Sequence, residues 1–138
     1  MVIGLMGGVG SGKSTVLDYL EENYGVKNIR INMPVGLRDT DKFLEVLSQI
    51  SGNEIPEKYV KERGRYLDAM IDSHKYNAEG RAAIFGEPDF VYSTARMMLE
   101  NGVMPVLIAT GDVCPELKDK LFDEVKELSE ALFVDNFD

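Results

Sequence analysis

Four glycines fall within six residues near the start of this chain, GGVGSG at 7–12, and they separate two unlike neighbours. Ahead of them VIGLM (2–6) is a short apolar run of the kind a buried parallel strand uses. Behind them Val16, Leu17 and Leu20 recur at helical spacing from Lys13 to about Asn23, and Gly25 supplies a stop. A strand, a glycine turn and a helix in that order admit few folds. The strand belongs to a parallel sheet, and the helix lies on its face.

The rest of the chain continues the alternation. NIRINM (28–33) reads as a second strand halted by Pro34. Residues 40–50 predict a helix with Phe43, Leu44, Leu47 and Ile50 on one face, Asp39 or Thr40 as its cap and Gly52 as its end. Pro56 opens a longer helix to about Tyr76, striped by Val60, Leu67, Met70, Ile71 and His74. Then come a strand at 81–85, a helix from 87–89 to about Asn101, a strand at 104–109, a helix from Pro115 to about Ser129 (Leu117, Leu121, Val125, Leu128) and a strand at 131–134. The pattern predicts one domain, 1–138. It is a three-layer Rossmann-like or flavodoxin-like α/β fold, with a parallel sheet of about five strands covered on both faces. The sequence contains no internal repeat and no low-complexity tract.

A chain of 138 residues is long enough for one real core. The net charge of −9 argues against nucleic acid as a partner, because that wants a basic face. No apolar run approaches the roughly 18 residues of a membrane span. No signal peptide precedes the first apolar run, so the expected compartment is the cytoplasm. The chain has one cysteine, Cys114, and one histidine, His74. Neither makes a disulfide or a metal cluster alone, so no iron–sulfur cluster is expected.

The glycine stretch matches the Walker A pattern: Gly7, four residues, Gly12, Lys13, Ser14. Each part has a task. Glycines let backbone N–H groups close around a phosphate, where a Cβ would block the approach. The helix adds its positive end. Lys13 reaches the terminal phosphates, Ser14 ligates Mg²⁺, and Thr15 adds a bond to another phosphate. The candidate phosphate or nucleotide site is therefore Gly7, Gly8, Val9, Gly10, Ser11, Gly12, Lys13, Ser14 and Thr15. Its expected ligand is a phosphate or sulfate ion, or ATP or ADP with Mg²⁺. Asp112 and Asp135, at strand ends, are candidates for the magnesium position, with the ALFVD ending (131–135) similar to a Walker B strand. The loops 33–38, 86–89, 110–114 and 135–137 are expected at the same carboxyl edge of the sheet.

The stretch IGLMGGVGSGKSTVLDYLEENYG resembles the start of the P-loop nucleoside and coenzyme kinases, dephospho-coenzyme A kinase above all. The resemblance implies ATP-dependent phosphoryl transfer. It covers residues 1–25 and stops: NIRINMPVG lacks the expected acidic pair, and no arginine-rich lid follows.

Residues 26–138 resemble a different family. GLRDTDKFL, ISGNEIPE, KERGRYLDAMIDSHKY and GEPDF are similar, in order and spacing, to the β chain of nitrogenase component 1, nearest its vanadium or iron-only types. That resemblance implies a Rossmann-like β-chain subdomain. The family's cluster cysteines lie upstream of the matched segment, so it implies no metal site here. The two resemblances meet near Tyr24-Gly25. With a chain that closes just after a strand, they suggest a chimera, engineered or fused, of a kinase-like βα unit and a nitrogenase-like remainder.

Three functions are open. The first is phosphate or nucleotide binding without turnover. The second is a working kinase, which needs a base and an arginine clamp; Arg38, Arg63, Arg65, Arg81 and Arg96 read instead as surface and interface salt bridges. The third is a nitrogenase-type structural or electron-transfer module with no cluster of its own. It would leave Tyr59, Tyr66, Tyr76 and Phe90 as exposed former interface residues and favour self-association. His74 reads as a core histidine on its helix stripe. Tyr92, Ser93 and Thr94 read as packing or solvated helix positions rather than catalysts.

Overall fold

The computed structural model describes residues 4–5, 12–124 and 131–135. Five helices and three strands follow in order: α1 (Lys13–Tyr24), α2 (Leu37–Ser51), α3 (Glu57–Asn77), β1 (Arg81–Gly86), α4 (Pro88–Glu100), β2 (Met104–Thr110), α5 (Pro115–Glu124) and β3 (Leu132–Asp135). The strands form one parallel sheet in the order β1-β2-β3. The α/β class with a parallel sheet therefore holds. Three strands rather than about five are found among the described residues.

The helix stops fall where glycine predicts them. Gly25 and Gly52 close α1 and α2 in the left-handed conformation, and their N–H groups return to Glu21 O and Ser48 O at 3.0 and 2.9 Å. The start of α2 differs from expectation. The helix begins three residues earlier than residue 40, behind Gly36, and neither Asp39 nor Thr40 caps it. The cap comes from far away: Glu100 accepts from Leu37 N at 2.8 Å and from Arg38 N at 3.1 Å. Gly36 makes that approach possible. Its φ is 83°, and a Cβ there would lie 2.8 Å from Glu100 Oε2 and 3.0 Å from Met97 Cβ.

The core lies where the βαβ alternation is densest. Ile84 of β1 and Ile108 of β2 are register partners on one face of the sheet. They pack with Val91, Tyr92 and Ala95 of α4 and Leu121 of α5. The opposite face is open: Phe85 is 73% exposed and Leu132 62%. The second helical layer of a three-layer fold is thus not found over that face among the described residues.

The expected strand at 28–33 does not form. Residues 25–35 carry no regular structure, and Ile29 and Ile31 are exposed. A strand needs a neighbour to bond, and its apolar–polar alternation alone cannot supply one. Of the expected strand 2–6, Gly4 and Leu5 are described and neither is in a strand. The rest of that strand, residues Gly7–Ser11 of the glycine loop, and positions 125–129 of the expected fifth helix lie outside the described residues.

Candidate functional site

The described part of the glycine motif is its carboxyl end. Gly12 stands at φ 78° immediately before α1, and no side chain caps that helix. The first helical bond runs from Val16 N to Gly12 O at 3.0 Å. The backbone thus turns into a helix where the motif requires, with Lys13, Ser14 and Thr15 in its first turn. α1 itself buries nothing and has Val16 and Tyr19 exposed.

Asp112 and Asp135 reach the carboxyl edge of the sheet, as expected. Asp135 is the register partner of Thr110, and the Thr110 hydroxyl donates to Asp112 O at 2.9 Å. No hydrogen bond or ion pair among the described residues joins either aspartate to Ser14 or Thr15. The loop 33–38 does not join this edge. Gly36 and Leu37 rest on Met97 and Glu100 at the end of α4, and α4 leads through Asn101-Gly102 into the start of β2. α4 runs back against the strands, so that contact sits at the amino edge.

The densest chemistry is a buried polar cluster that the sequence did not announce. Arg96 of α4 is 6% exposed and donates through Nη1 to both Asp39 oxygens, at 2.9 and 3.1 Å. Its Nε lies 3.4 Å from Glu124 Oε2. The Tyr92 hydroxyl donates to Glu124 Oε1 at 2.6 Å. Lys120 stands 4.3 Å from the Tyr92 ring centroid and donates to Asn32 Oδ1 at 3.3 Å, while Asn32 donates to Asp39 at 3.0 Å. Arg96 and Asp39 are buried and paired, which is the condition for burying such charges at all, while Glu124 and Lys120 join them from the exposed surface. Burial, and after it the hydrogen bond to Glu124, holds the Tyr92 phenol above its ordinary range.

This overturns the surface reading of Arg96. The other arginines keep it: Arg63 pairs with Asp41 at 2.9 Å, Arg65 with Glu62 at 2.8 Å, and Arg38 and Arg81 are exposed. Arg30 meets α1 as an exposed pair with Asp18 at 2.9 Å. His74 is also corrected. It is exposed, not buried, and its ring lies over Gly102, where a Cβ would sit 2.9 Å from His74 Cε1. Ser93 and Thr94 are buried rather than solvated, and their hydroxyl oxygens have no hydrogen-bond partner among the described residues. Their small size lets α4 lie close on β1 and β2.

The comparison with protein families decides what this scaffold is. A model of the nitrogenase component 1 type oxidoreductases matches residues 8–138. The chain belongs to that family. Among its curated relatives, the nitrogenase vanadium-iron protein β chain of Trichormus variabilis is 39% identical over 95 residues, covering 68% of this chain and 20% of the relative. The nitrogenase molybdenum-iron protein β chain of Frankia alni is 34% identical over 104 residues, 75% of this chain and 20% of its own. That of Azotobacter vinelandii is 47% identical over 79 residues, covering 57% of this chain and 15% of the relative. A solved structure described as nitrogenase Cp1 at pH 6.5 superposes with a TM-score of 0.79 at 27% identity, covering 88% of this chain and 27% of that one.

Two features of this nitrogenase-family match matter for the site. It begins at residue 8, so it runs through α1 and across the Tyr24–Gly25 junction. And the chain spans only about a fifth of the length of the curated relatives it matches, for example 20% of the Trichormus chain. Molybdenum-iron and vanadium-iron chains both match, at 34% and 39% identity.

The metal implied by those names can be tested against the donors present. The sequence offers one thiol, Cys114, half-buried behind β2. No group of three or more His, Cys, Asp or Glu side chains among the described residues is placed to hold a metal. An iron–sulfur cluster takes about four thiolates. This donor set does not fit one.

Proposed function

We propose that this chain is a β-chain segment of a nitrogenase component 1 type oxidoreductase, serving as a scaffold layer with no cluster of its own. The observation that carries this is the family match over residues 8–138. The surface supports it. Tyr59, Tyr66, Tyr76 and Phe90 are exposed, by 47, 37, 76 and 44%, and Phe85 adds an open sheet face. Large aromatic residues left bare in numbers mark surfaces that other polypeptide covers. Redox turnover belongs to the longer assembly, and its place is the cytoplasm; among the described residues no helix is long and apolar enough to cross a membrane. The test is reconstitution of the purified chain with ferrous iron and sulfide, followed by mixing with a nitrogenase component 1 α chain. The scaffold reading expects far less than one cluster per chain and co-elution with the α chain. A full cluster on the isolated chain would overturn it.

A second reading is favoured by the conformation at Gly12. An uncapped helix opening directly behind a glycine at φ 78° is the shape the Walker A pattern needs. We propose that Gly7–Thr15 binds phosphate or the phosphates of ATP or ADP with Mg²⁺, Ser14 on the metal and Asp112 or Asp135 nearby, without turnover. Phosphoryl transfer depends on positioning, and the sequence carries no arginine-rich lid behind the motif. In this reading residues 1–25 are a kinase-like unit joined to the remainder at Tyr24–Gly25. Calorimetric titration with ATP–Mg²⁺, ADP and dephospho-coenzyme A, repeated with Lys13→Ala, tests it. Saturable binding lost in the variant supports the site; no heat from any of the three removes it.

A further inference from the structure

We propose that α3 is the face through which two copies of this chain pair, as antiparallel helices about a two-fold axis. The helix runs for 21 residues and buries none of them. Its inner side, around Met70 and Asn77, leans on the fold. Beside that side runs a second stripe at alternating steps of four and three residues: Val60, Gly64, Leu67, Ile71. That spacing keeps one seam pointed at a partner helix. Val60 is 56% exposed and Ile71 71%, and a Cβ added at Gly64 would meet nothing within 4 Å. The seam is apolar and regular; it is open at Val60, Gly64 and Ile71, and Leu67 is half-buried.

What selects a second copy is self-complementarity. Laid antiparallel so that Val60 meets Ile71 of the other copy, the register also sets Gly64 against Leu67, small against large. The next layer outward sets Glu57 against His74. The position flanking the seam then pairs Lys61 with Asp68. A two-fold axis repeats every one of these pairs, as an isologous interface requires. A parallel pair would set Glu57 on Glu57 and Asp68 on Asp68, like charges facing, so charge chooses the antiparallel arrangement. Lys61 is already held by Glu57 within the helix at 2.9 Å, and Asp68 has no ion pair among the described residues, so the second copy supplies the missing cation.

The experiment is sedimentation velocity on the full chain over a concentration series. The expected mass climbs from 15.4 kDa toward twice that value. Ile71→Lys should raise the concentration for half-association about tenfold or more. Lys61→Glu and Asp68→Lys should each weaken pairing about threefold or more, and the two together should restore it. Circular dichroism and the thermal midpoint confirm that each variant folds; Val60→Ser replaces Ile71→Lys if the latter does not. A chain that stays monomeric throughout leaves this face to some other polypeptide and overturns the proposal. So does a dimer indifferent to Ile71→Lys. A charge exchange that fails to restore pairing overturns the antiparallel register.

Discussion

α4 and α3 are both amphipathic helices, and they end in opposite circumstances. α4 has 13 residues and buries seven of them, Arg96 among them. α3 has 21 and buries none. Length and an apolar stripe are therefore not what seats a helix here. α4 connects two adjacent parallel strands, and a crossover of that kind must lie on the sheet it crosses. α3 comes before the first described strand and crosses between no two strands among the described residues. The part of the molecule from residue 81 onward makes the core cluster, and the part before it is fastened at a few points, polar ones at Asp39 and Glu100 and apolar ones where α2 buries Val46 and Gly36 meets Met97.

The strongest of those points is Arg96, and removing it gives the largest expected effect. Arg96→Ala strands the Asp39 carboxylate, itself 6% exposed, without its cation. Leaving one partner of a buried pair costs about 3–5 kcal/mol. Urea unfolding should show that loss, a large share of the roughly 5–15 kcal/mol a domain has. Adding Asp39→Ala should recover part of it, because the stranded charge goes with it. Equal losses for the single and the double variant would mean that the arginine acts only by packing.

The next largest effect tests the second fastening. Gly36→Ala meets a backbone that L-residues avoid and drives a methyl to within 3 Å of Glu100 and Met97. Strain and crowding together should cost about 2–4 kcal/mol. The loss should be local as well as global. Amide exchange in the first turn of α2 should rise more than in α4, since the Glu100 cap on Leu37 and Arg38 is displaced. Uniform exchange across both helices would show that the two halves unfold as one unit.

How much of this was legible follows the same division. From residue 81 onward each strand and helix was readable, because the strand–helix period switches sharply and glycine or proline marks each joint. Gly25 and Gly52 were readable for the same local reason. The strand at 28–33 does not form because apolar–polar alternation is a local signal and does not say whether a segment finds a strand to pair with. Asp39 looked like a cap, and its partner Arg96 lies 57 positions away. Glu100 caps a helix 63 positions before it. Neither spacing leaves a trace in any local window. His74 falls on the apolar stripe of its helix, yet that helix has no fully buried residue and its half-buried side runs through Met70 and Asn77, so the stripe says little about the burial of His74. The glycine motif was readable as a motif; its chemistry depends on what stands opposite, which no local pattern states.

A smaller effect separates the polar cluster from the core beneath it. Tyr92→Phe keeps the ring and removes the 2.6 Å bond to Glu124, for about 1 kcal/mol near neutral pH. The pH dependence is more informative. The folded chain holds the phenol above its ordinary value of about 10. Its protonated form is thus the one the fold prefers. Stability is fully present below pH ~10 and falls as pH rises above it, because the unfolded chain ionises first. The phenylalanine variant lacks this phenol, so the difference between the two chains should shrink above pH ~10. A constant difference up to pH ~11 would mean that the hydroxyl is not held in its neutral form.

The smallest expected effect bears most directly on the contrast between the two helices. Ile71→Ser on α3 and Val16→Ser on α1 remove aliphatic side chains that are 71 and 47% exposed. Exposed substitutions of this kind stay within about 0.5 kcal/mol. The same change at Val91 of α4, which is fully buried, should cost several times more. Measured in dilute solution, where copies are apart, the α3 variant should melt with the parent chain. Where copies pair, the parent gains stability by mass action and the variant does not, so their melting points should separate as concentration rises. Superposed melts at every concentration would leave α3 a helix with no partner in its own kind. A large loss even in dilute solution would mean that α3 is seated on the fold after all, and that the division between the two halves is shallower than their burial suggests.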